Sequence, residues 1–141
     1  MRNYILFLIM FTINNILYAD QIDIEIEQAA LELNIEYETL KLIVDEYNNN
    51  STGNIWVSND ENKRYTLIFN DDNSFTFTIF EADGNIFQND LYGIFIIEDY
   101  NITLYFTDED GIPYWKNKLR ILKNLLIIVS EDNEIIIYIR Q

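Results

Sequence analysis

Residues 53–140 break into short apolar segments separated by compact polar turns, and this spacing most constrains the fold. The segments lie at 54–59, 64–70, 74–81, 91–98, 101–107, 114–122, 125–130 and 134–140. The breaks are rich in Asn, Asp and Gly, which tolerate turn conformations. Parallel strands would need long crossovers for which the chain has no room. The spacing predicts a mainly β (α+β) fold, an antiparallel up-and-down meander or barrel of about eight strands.

Alternation along these segments predicts which side chains face inward. Three sets each share one face: Tyr65, Leu67 and Phe69; Phe75, Phe77 and Ile79; and Ile102, Leu104 and Phe106. Residues 94–97, 125–129 and 135–139 are apolar on both faces, so their outer face needs a cover. The helical segment that precedes the strands is one candidate cover, and a second copy in a homodimer is the other.

Residues 22–48 carry apolar side chains at the spacing of one helix face, with acidic residues on the remainder. Asn34 is a candidate left-handed residue, so an αα-hairpin is favoured over one long helix. A polar linker at 48–53 then separates an amphipathic helical segment, 20–50, from a β domain, 51–141. The alternative architecture is an open curved sheet wrapped around the helices.

The first nineteen residues have the pattern of a signal peptide. Arg2 precedes an apolar run from Tyr4 to Phe11, and Ala19 places a small residue at a cleavage point. Asn14 and Asn15 interrupt the run before it reaches the ~20 residues that cross a bilayer. We expect cleavage after residue 19, export to the periplasm or the extracellular space, and no membrane span afterwards.

Composition excludes most kinds of site chemistry. The chain has no His and no Cys, so the usual general base, zinc site and thiol nucleophile are excluded. Its net charge of −15 argues against nucleic acid as a partner. The acidic runs 70–73 and 108–111 lack the alternating ligand spacing of a calcium loop and are interpreted as turns. No catalytic residue, metal site or cofactor is predicted.

One basic stripe interrupts this acidic chain. Lys116, Lys118 and Arg120 alternate, so a strand places all three on one face. Pairing with acidic residues of adjacent strands is the favoured interpretation. The functional interpretation is a partner or anion contact, in which Tyr114 and Trp115 would be interface anchors.

The strand region also carries a family pattern. Gly53 stands shortly before Trp56, a polar turn joins two aromatic strands around 67–75, Gly93 opens the run 93–97, and the last strand ends in Tyr138-Ile139-Arg140. From Gly53 onward the chain resembles the lipocalin-like proteins of the calycin group, including small bacterial lipocalin-like domains. The resemblance implies an up-and-down barrel with an apolar ligand cavity. It also implies a late Arg, either Arg140 or Arg120, packed over Trp56.

These observations lead to two functional hypotheses. The first is an exported non-enzymatic binding protein whose barrel holds a small apolar or amphipathic ligand. Its candidate lining residues are Trp56, Phe69, Phe75, Phe77, Ile94, Leu104 and Phe106. The second is an acidic protein–protein interaction module or inhibitor that engages a basic macromolecule.

Overall fold

The computed structural model describes residues 21–47 and 51–141, with the backbone alone at 89 and 90. Within these ranges two helices precede eight strands. Helix α1 is described over residues 21–33 and α2 is Tyr37–Glu46. The strands are β1 (Ile55–Asn59), β2 (Lys63–Phe69), β3 (Ser74–Glu81), β4 (Ile86–Glu98), β5 (Asn101–Thr107), β6 (Pro113–Leu122), β7 (Leu125–Val129) and β8 (Ile135–Arg140). The predicted signal peptide, 1–19, lies outside the described residues.

The helical segment is split at Asn34, as predicted. The φ angle of Asn34 is 54°, in the left-handed region. The N–H groups of Asn34 and Ile35 donate to carbonyls in the last turn of α1 at 3.3 and 2.9 Å, the bonding of a Schellman motif. The carboxylate of Asp23 accepts from the Tyr37 hydroxyl at 3.2 Å and the Lys41 ammonium at 3.4 Å. These contacts join α1 to α2 and confirm the αα-hairpin.

The eight strands form a closed barrel in chain order, each antiparallel to the next. The barrel closes where β1 pairs with β8, with Trp56 opposite Arg140 and Val57 opposite Ile139. The predicted up-and-down barrel is confirmed, and the pairing of the first strand with the last excludes the open curved sheet. Closure leaves the sheet without a fully unpaired edge strand.

Strand β4 is longer than the sequence indicated. It begins at Ile86, whereas the predicted strand begins at residue 91. Its register against β3 shifts on both sides of Ile79, which lies opposite Gln88. Such bulges let pairing continue through extra residues on one strand. The polar pair at 89 and 90 resembles a loop in the sequence but lies inside a bulged strand.

The turns between strands lie where the sequence predicted them. Left-handed residues occur in the turns that follow β2 to β7, at Asn73, Gly84, Asp99, Gly111, Lys123 and Asn133. Five of the six are Asn, Asp or Gly, which tolerate this conformation best because their side chains are short or absent, and Lys123 is the exception. At those five turns, the residue type favours the end of one strand and the start of the next.

Alternation places the core inside the barrel. The buried cluster consists of Trp56, Leu67, Phe75, Ile102, Leu104, Phe106, Leu119 and Leu126. Strand β7 is buried on both faces, since outward-facing Leu125 and Ile127 are at most 1% exposed. The expectation that strands apolar on both faces are covered is therefore met at β7. It is wrong at β4, where the outer-face side chains of Ile94 and Ile96 are exposed. That the helical segment is the cover stays a prediction.

Candidate functional site

The barrel interior holds a cavity of about 900 Å³. Its wall consists of inward-facing residues from every strand of the barrel, and its lining continues to the turns after β1 and before β8. The inward-facing side chains on this wall are Ser58, Tyr65, Leu67, Phe77, Ile79, Gln88, Leu91, Leu104, Phe106, Trp115, Asn117, Leu119, Ile128, Ile136 and Tyr138. Apolar side chains are the majority, so the cavity has the lining of a site for an apolar body with a few polar contacts.

Aromatic side chains fill the opposite end of the barrel. The rings of Phe69 and Phe95 meet edge to face with their centroids 4.7 Å apart. Phe75 packs edge to face on Phe106 at 4.9 Å. These offset geometries are the favourable ones for aromatic pairs. We refer to the end of the barrel plugged by Phe69, Phe75 and Phe95 as the closed end.

The first and last strands are fastened together at the closed end. The guanidinium carbon of Arg140 lies 5.2 Å from the centroid of the Trp56 ring, and Nε donates a hydrogen bond to the Gly53 carbonyl. A Cβ on Gly53 would collide with the carbonyl oxygen of Gln141, so only glycine allows this close approach of the segment before β1 to the residue after β8. Of the two arginines that the resemblance offered, Arg140 is the one over Trp56.

The structure divides the predicted lining residues between the cavity and the closed end. Those on the cavity wall are Phe77, Leu104 and Phe106. Those that face inward but pack at the closed end are Trp56, Phe69 and Phe75. The alternation in the sequence identifies an inward face correctly, but it does not say which level of the barrel is filled.

The predicted inward position of Ile94 is wrong. Its side chain is 48% exposed on the outside of β4. Phe95 and Gly93 occupy the inward positions on either side of it, with Gly93 opposite Phe106. A Cβ on Gly93 would collide with the Tyr105 carbonyl oxygen, so β4 and β5 approach closely here. Because residues 94–97 are all apolar, the sequence pattern there does not distinguish the two faces.

The sequence interpretation missed the polar groups of the cavity. They are Ser58, Gln88, Asn117 and Tyr138. Asn117 lies between Lys116 and Lys118, whose side chains face outward, so its own side chain faces inward. It lies opposite the inward-facing Leu104 of β5. The same alternation that placed the lysines outside was the signal that could have found Asn117. These groups are uncharged at neutral pH, so the inner cavity combines an apolar wall with neutral hydrogen-bonding groups.

Tyr138 is a half-buried ionisable group on this wall. Burial, with a smaller contribution from the neighbouring Tyr65, raises its pKa to about 12. Desolvation acts in this direction because it disfavours the phenolate. Tyr138 is therefore a neutral hydroxyl under physiological conditions.

The cavity rim is acidic. Asp60, in the turn after β1, accepts hydrogen bonds from the backbone N–H groups of Asn62 and Lys63 at 2.8 and 2.7 Å and from the Tyr65 hydroxyl at 2.8 Å. These bonds, the one from Asn62 first, hold the pKa of Asp60 below its ordinary value. Glu134, just before β8, also lines the cavity. Within the described chain, no Lys or Arg belongs to the lining.

The barrel wall is least complete beside β8. The β1–β8 ladder consists of the Trp56–Arg140 and Val57–Ile139 pairs, both near the closed end. Beyond Val57, Ser58 and Asn59 of β1 and residues 135–138 of β8 line the cavity without pairing to each other. Ladder hydrogen bonds therefore do not seal this side of the cavity.

The predicted basic stripe on β6 is shorter than the sequence indicated. Tyr114, Lys116 and Lys118 are exposed on the outer face. Arg120 is 3% exposed, so its assignment to an accessible interface is wrong. Its guanidinium stacks 4.8 Å from the Tyr100 ring centroid, and Nη1 donates to the Tyr100 carbonyl at 3.2 Å. Backbone carbonyls and an aromatic face stabilise the positive charge of Arg120 within the fold.

The expected pairing of the lysines with acidic neighbours is also absent from the described residues. Lys116 lies opposite Tyr105 on β5, and Lys118 lies opposite Thr103. Trp115 is half exposed at the cavity rim, where its ring stacks on Phe106 with centroids 4.9 Å apart. Trp115 therefore belongs to the cavity and is not part of the outer stripe.

Within residues 21–47 and 51–141, no group of three or more acidic side chains is placed to hold a metal ion. In the same ranges, no helix combines the length and apolarity needed to cross a bilayer. The cavity brings apolar, neutral polar and acidic side chains of all eight strands and two turns together.

Fold and site together define a closed eight-stranded antiparallel barrel, preceded by a helical hairpin and holding an internal cavity. Comparison with protein-family models, with curated proteins and with solved structures gives no match to this chain.

Proposed function

We propose that this chain is an exported, non-enzymatic, lipocalin-like binding protein that holds a small apolar or amphipathic ligand in its barrel. The observation that supports this most is the cavity of about 900 Å³, because a barrel of eight strands is narrow enough to be filled by its own side chains. A volume of this size is typical of sites for small molecules. The aromatic closed end leaves the acidic rim and the side beside β8 as routes for a ligand.

The lipocalin-like assignment has its own support. The cation–π contact between Arg140 and Trp56, with Gly53 next to it, is the arrangement that the family resemblance implies. Export rests on the leader, residues 1–19, and predicts that the mature chain begins at Asp20. Amino-terminal sequencing of the exported protein would test it, and an intact leader would contradict it.

Binding is tested with Nile red, a neutral apolar dye whose fluorescence rises in apolar surroundings. We expect saturable binding at one site per chain and a higher melting temperature with the dye present, because a ligand of the folded state stabilises it. Absence of both effects would overturn the proposal. Salt-sensitive association with a basic protein in their place would favour the interaction-module hypothesis.

A cavity-filling variant locates the bound dye. Asn117→Phe places a ring in the cavity, whereas Thr103→Phe adds the same ring to the outer face of the neighbouring strand. We expect the first variant to lose dye binding and the second to keep it. Each variant must first show the circular dichroism spectrum of the unmodified protein. Equal binding by both variants would place the dye outside the cavity.

A further inference from the structure

The charges of the cavity are distributed unevenly between its wall and its rim. Deep in the barrel, the polar groups are neutral amides and hydroxyls, among them Asn117 and Tyr138. At the rim, Asp60 and Glu134 are carboxylates. Among the described lining residues no cation balances them. The apolar wall therefore suits the tail of an amphiphile, and the charge of the rim determines which head group fits.

An anionic head group fits neither part of this cavity. A carboxylate placed deep in the barrel would lose its hydration without gaining a cationic partner, which is strongly unfavourable. A carboxylate at the rim would be repelled by Asp60 and Glu134, and the net charge of −15 adds to that repulsion at long range. A fatty acid anion is therefore a poor ligand for this barrel.

A cationic head group fits the rim. The Asp60 carboxylate is held in place by three hydrogen bonds, two of them from backbone N–H groups. The nearby Lys63 ammonium lies 3.8 Å from the centroid of the Phe87 ring and forms no ion pair with Asp60 within the described residues. A carboxylate with three accepted bonds keeps capacity for another donor. Lys63 lowers the negative potential at Asp60 without closing the site to an ammonium group.

We propose that the barrel selects amphiphiles with an apolar tail and a positively charged head group, with the tail among Phe77, Leu104 and Phe106 and the head between Asp60 and Glu134. This inference rests on the proposed binding function and specifies its ligand class. The asymmetry in charge carries it, since the apolar wall by itself would accept tails of any head group.

The experiment is displacement of Nile red by decylamine, decanol and decanoate. These ligands share one tail and differ in head-group charge at neutral pH. Concentrations are kept below those at which the amphiphiles form micelles. We expect half-displacement at about fivefold lower concentration for the ammonium than for the alcohol, and about fivefold higher for the carboxylate, the size of one partly exposed charge interaction. High salt should reduce both differences.

Two variants assign the selectivity to the rim. Glu134→Gln removes one charge from a side chain that has no hydrogen bond in the described structure, so the fold is unaffected. Asp60→Asn removes the other and keeps an oxygen for the backbone donors. Each should reduce the preference for the ammonium over decanol, measured as the ratio of their half-displacement concentrations. The matched control, Glu131→Gln, removes a charge from the same turn as Glu134 but outside the lining and should change nothing.

The outcomes separate the two proposals. Saturable Nile red binding with decanoate as the equal or better competitor would overturn the inference and leave the proposed function standing. Dye binding that none of the three amphiphiles displaces would also overturn it. If Glu131→Gln reduces the preference for the ammonium as much as Glu134→Gln does, the preference comes from the net charge of the protein. That result would overturn the inference. No saturable dye binding would overturn the proposed function and the inference together.

Discussion

Removing the guanidinium of Arg140 should destabilise the barrel where its first and last strands meet. Arg140 lies over the Trp56 ring at 5.2 Å and donates to the Gly53 carbonyl. The substitution Arg140→Met keeps most of the aliphatic stem and removes both interactions. The effect should be large because the β1–β8 ladder beside it is short, so few other bonds hold these strands together.

The expected loss follows from the two interactions. A cation–π contact of this kind stabilises by about 0.5–2 kcal/mol. A hydrogen bond from a charged donor contributes about 1.5–3 kcal/mol. Because one side chain makes both, the two terms do not add fully. We expect the free energy of unfolding to fall by about 2 kcal/mol, which lowers Tm by about 8 °C in a domain of this size.

Equilibrium unfolding in urea measures this loss. The control is Arg64→Met, at an exposed arginine in β2, which should change the free energy of unfolding by less than about 0.5 kcal/mol. In a Trp56→Phe background the Arg140→Met loss should shrink, since the better cation–π partner is already gone. Similar losses for Arg140→Met and Arg64→Met would refute this account of barrel closure.

Three further predictions follow from single positions. Gly93→Ala should lower the free energy of unfolding in urea by about 3 kcal/mol because its new methyl group meets the Tyr105 carbonyl. Gly84→Ala, with open space around it, should lower it by about 1 kcal/mol. Equal losses would contradict this reasoning. Asn34→Ala should lower helix stability by about 1 kcal/mol, measured by thermal circular dichroism, and Asn34→Gly should not; the reverse order would argue against the left-handed cap. Tyr138 should appear in a tyrosinate absorbance titration as a group that ionises near pH 12 and is missing in Tyr138→Phe. Because its folded pKa is raised above the ordinary 10.0, its contribution to stability is complete below pH 10 and is lost as the pH rises toward 12; an unchanged curve in the variant would count against its burial.

The cavity has a structural origin in the unequal filling of the barrel. At the closed end, Phe69, Phe75 and Phe95 occupy the interior with large rings. On the cavity wall, Ser58 and Asn117 occupy inward positions with small or polar side chains, and the interior stays open. One barrel therefore combines a packed half, which supplies stability, with an open half that is available for a ligand.

Local chemistry in the sequence determined the number and direction of the strands. The turn residues Asn, Asp and Gly, at positions such as Asn73 and Gly84, adopt the left-handed conformations that end one strand and start the next. The cap at Asn34 likewise divides the helical segment, and strict alternation around Phe77 and Leu104 identifies an inward face. These features depend on residues close together in the chain, which is why the sequence alone sufficed for them.

Tertiary structure decided where the cavity lies and what charge surrounds it. Ile94 faces out because Gly93 and Phe95 occupy the inward positions on either side of it. An unbroken apolar run in the sequence does not specify which of its residues face inward. Arg120 is buried because Tyr100, in the turn between β4 and β5, supplies an aromatic ring and a carbonyl oxygen that stabilise its charge. Asp60 and Glu134 line the same cavity because β1 pairs with β8. Each outcome depends on contacts between distant parts of the chain, and periodicity carries no information about those contacts.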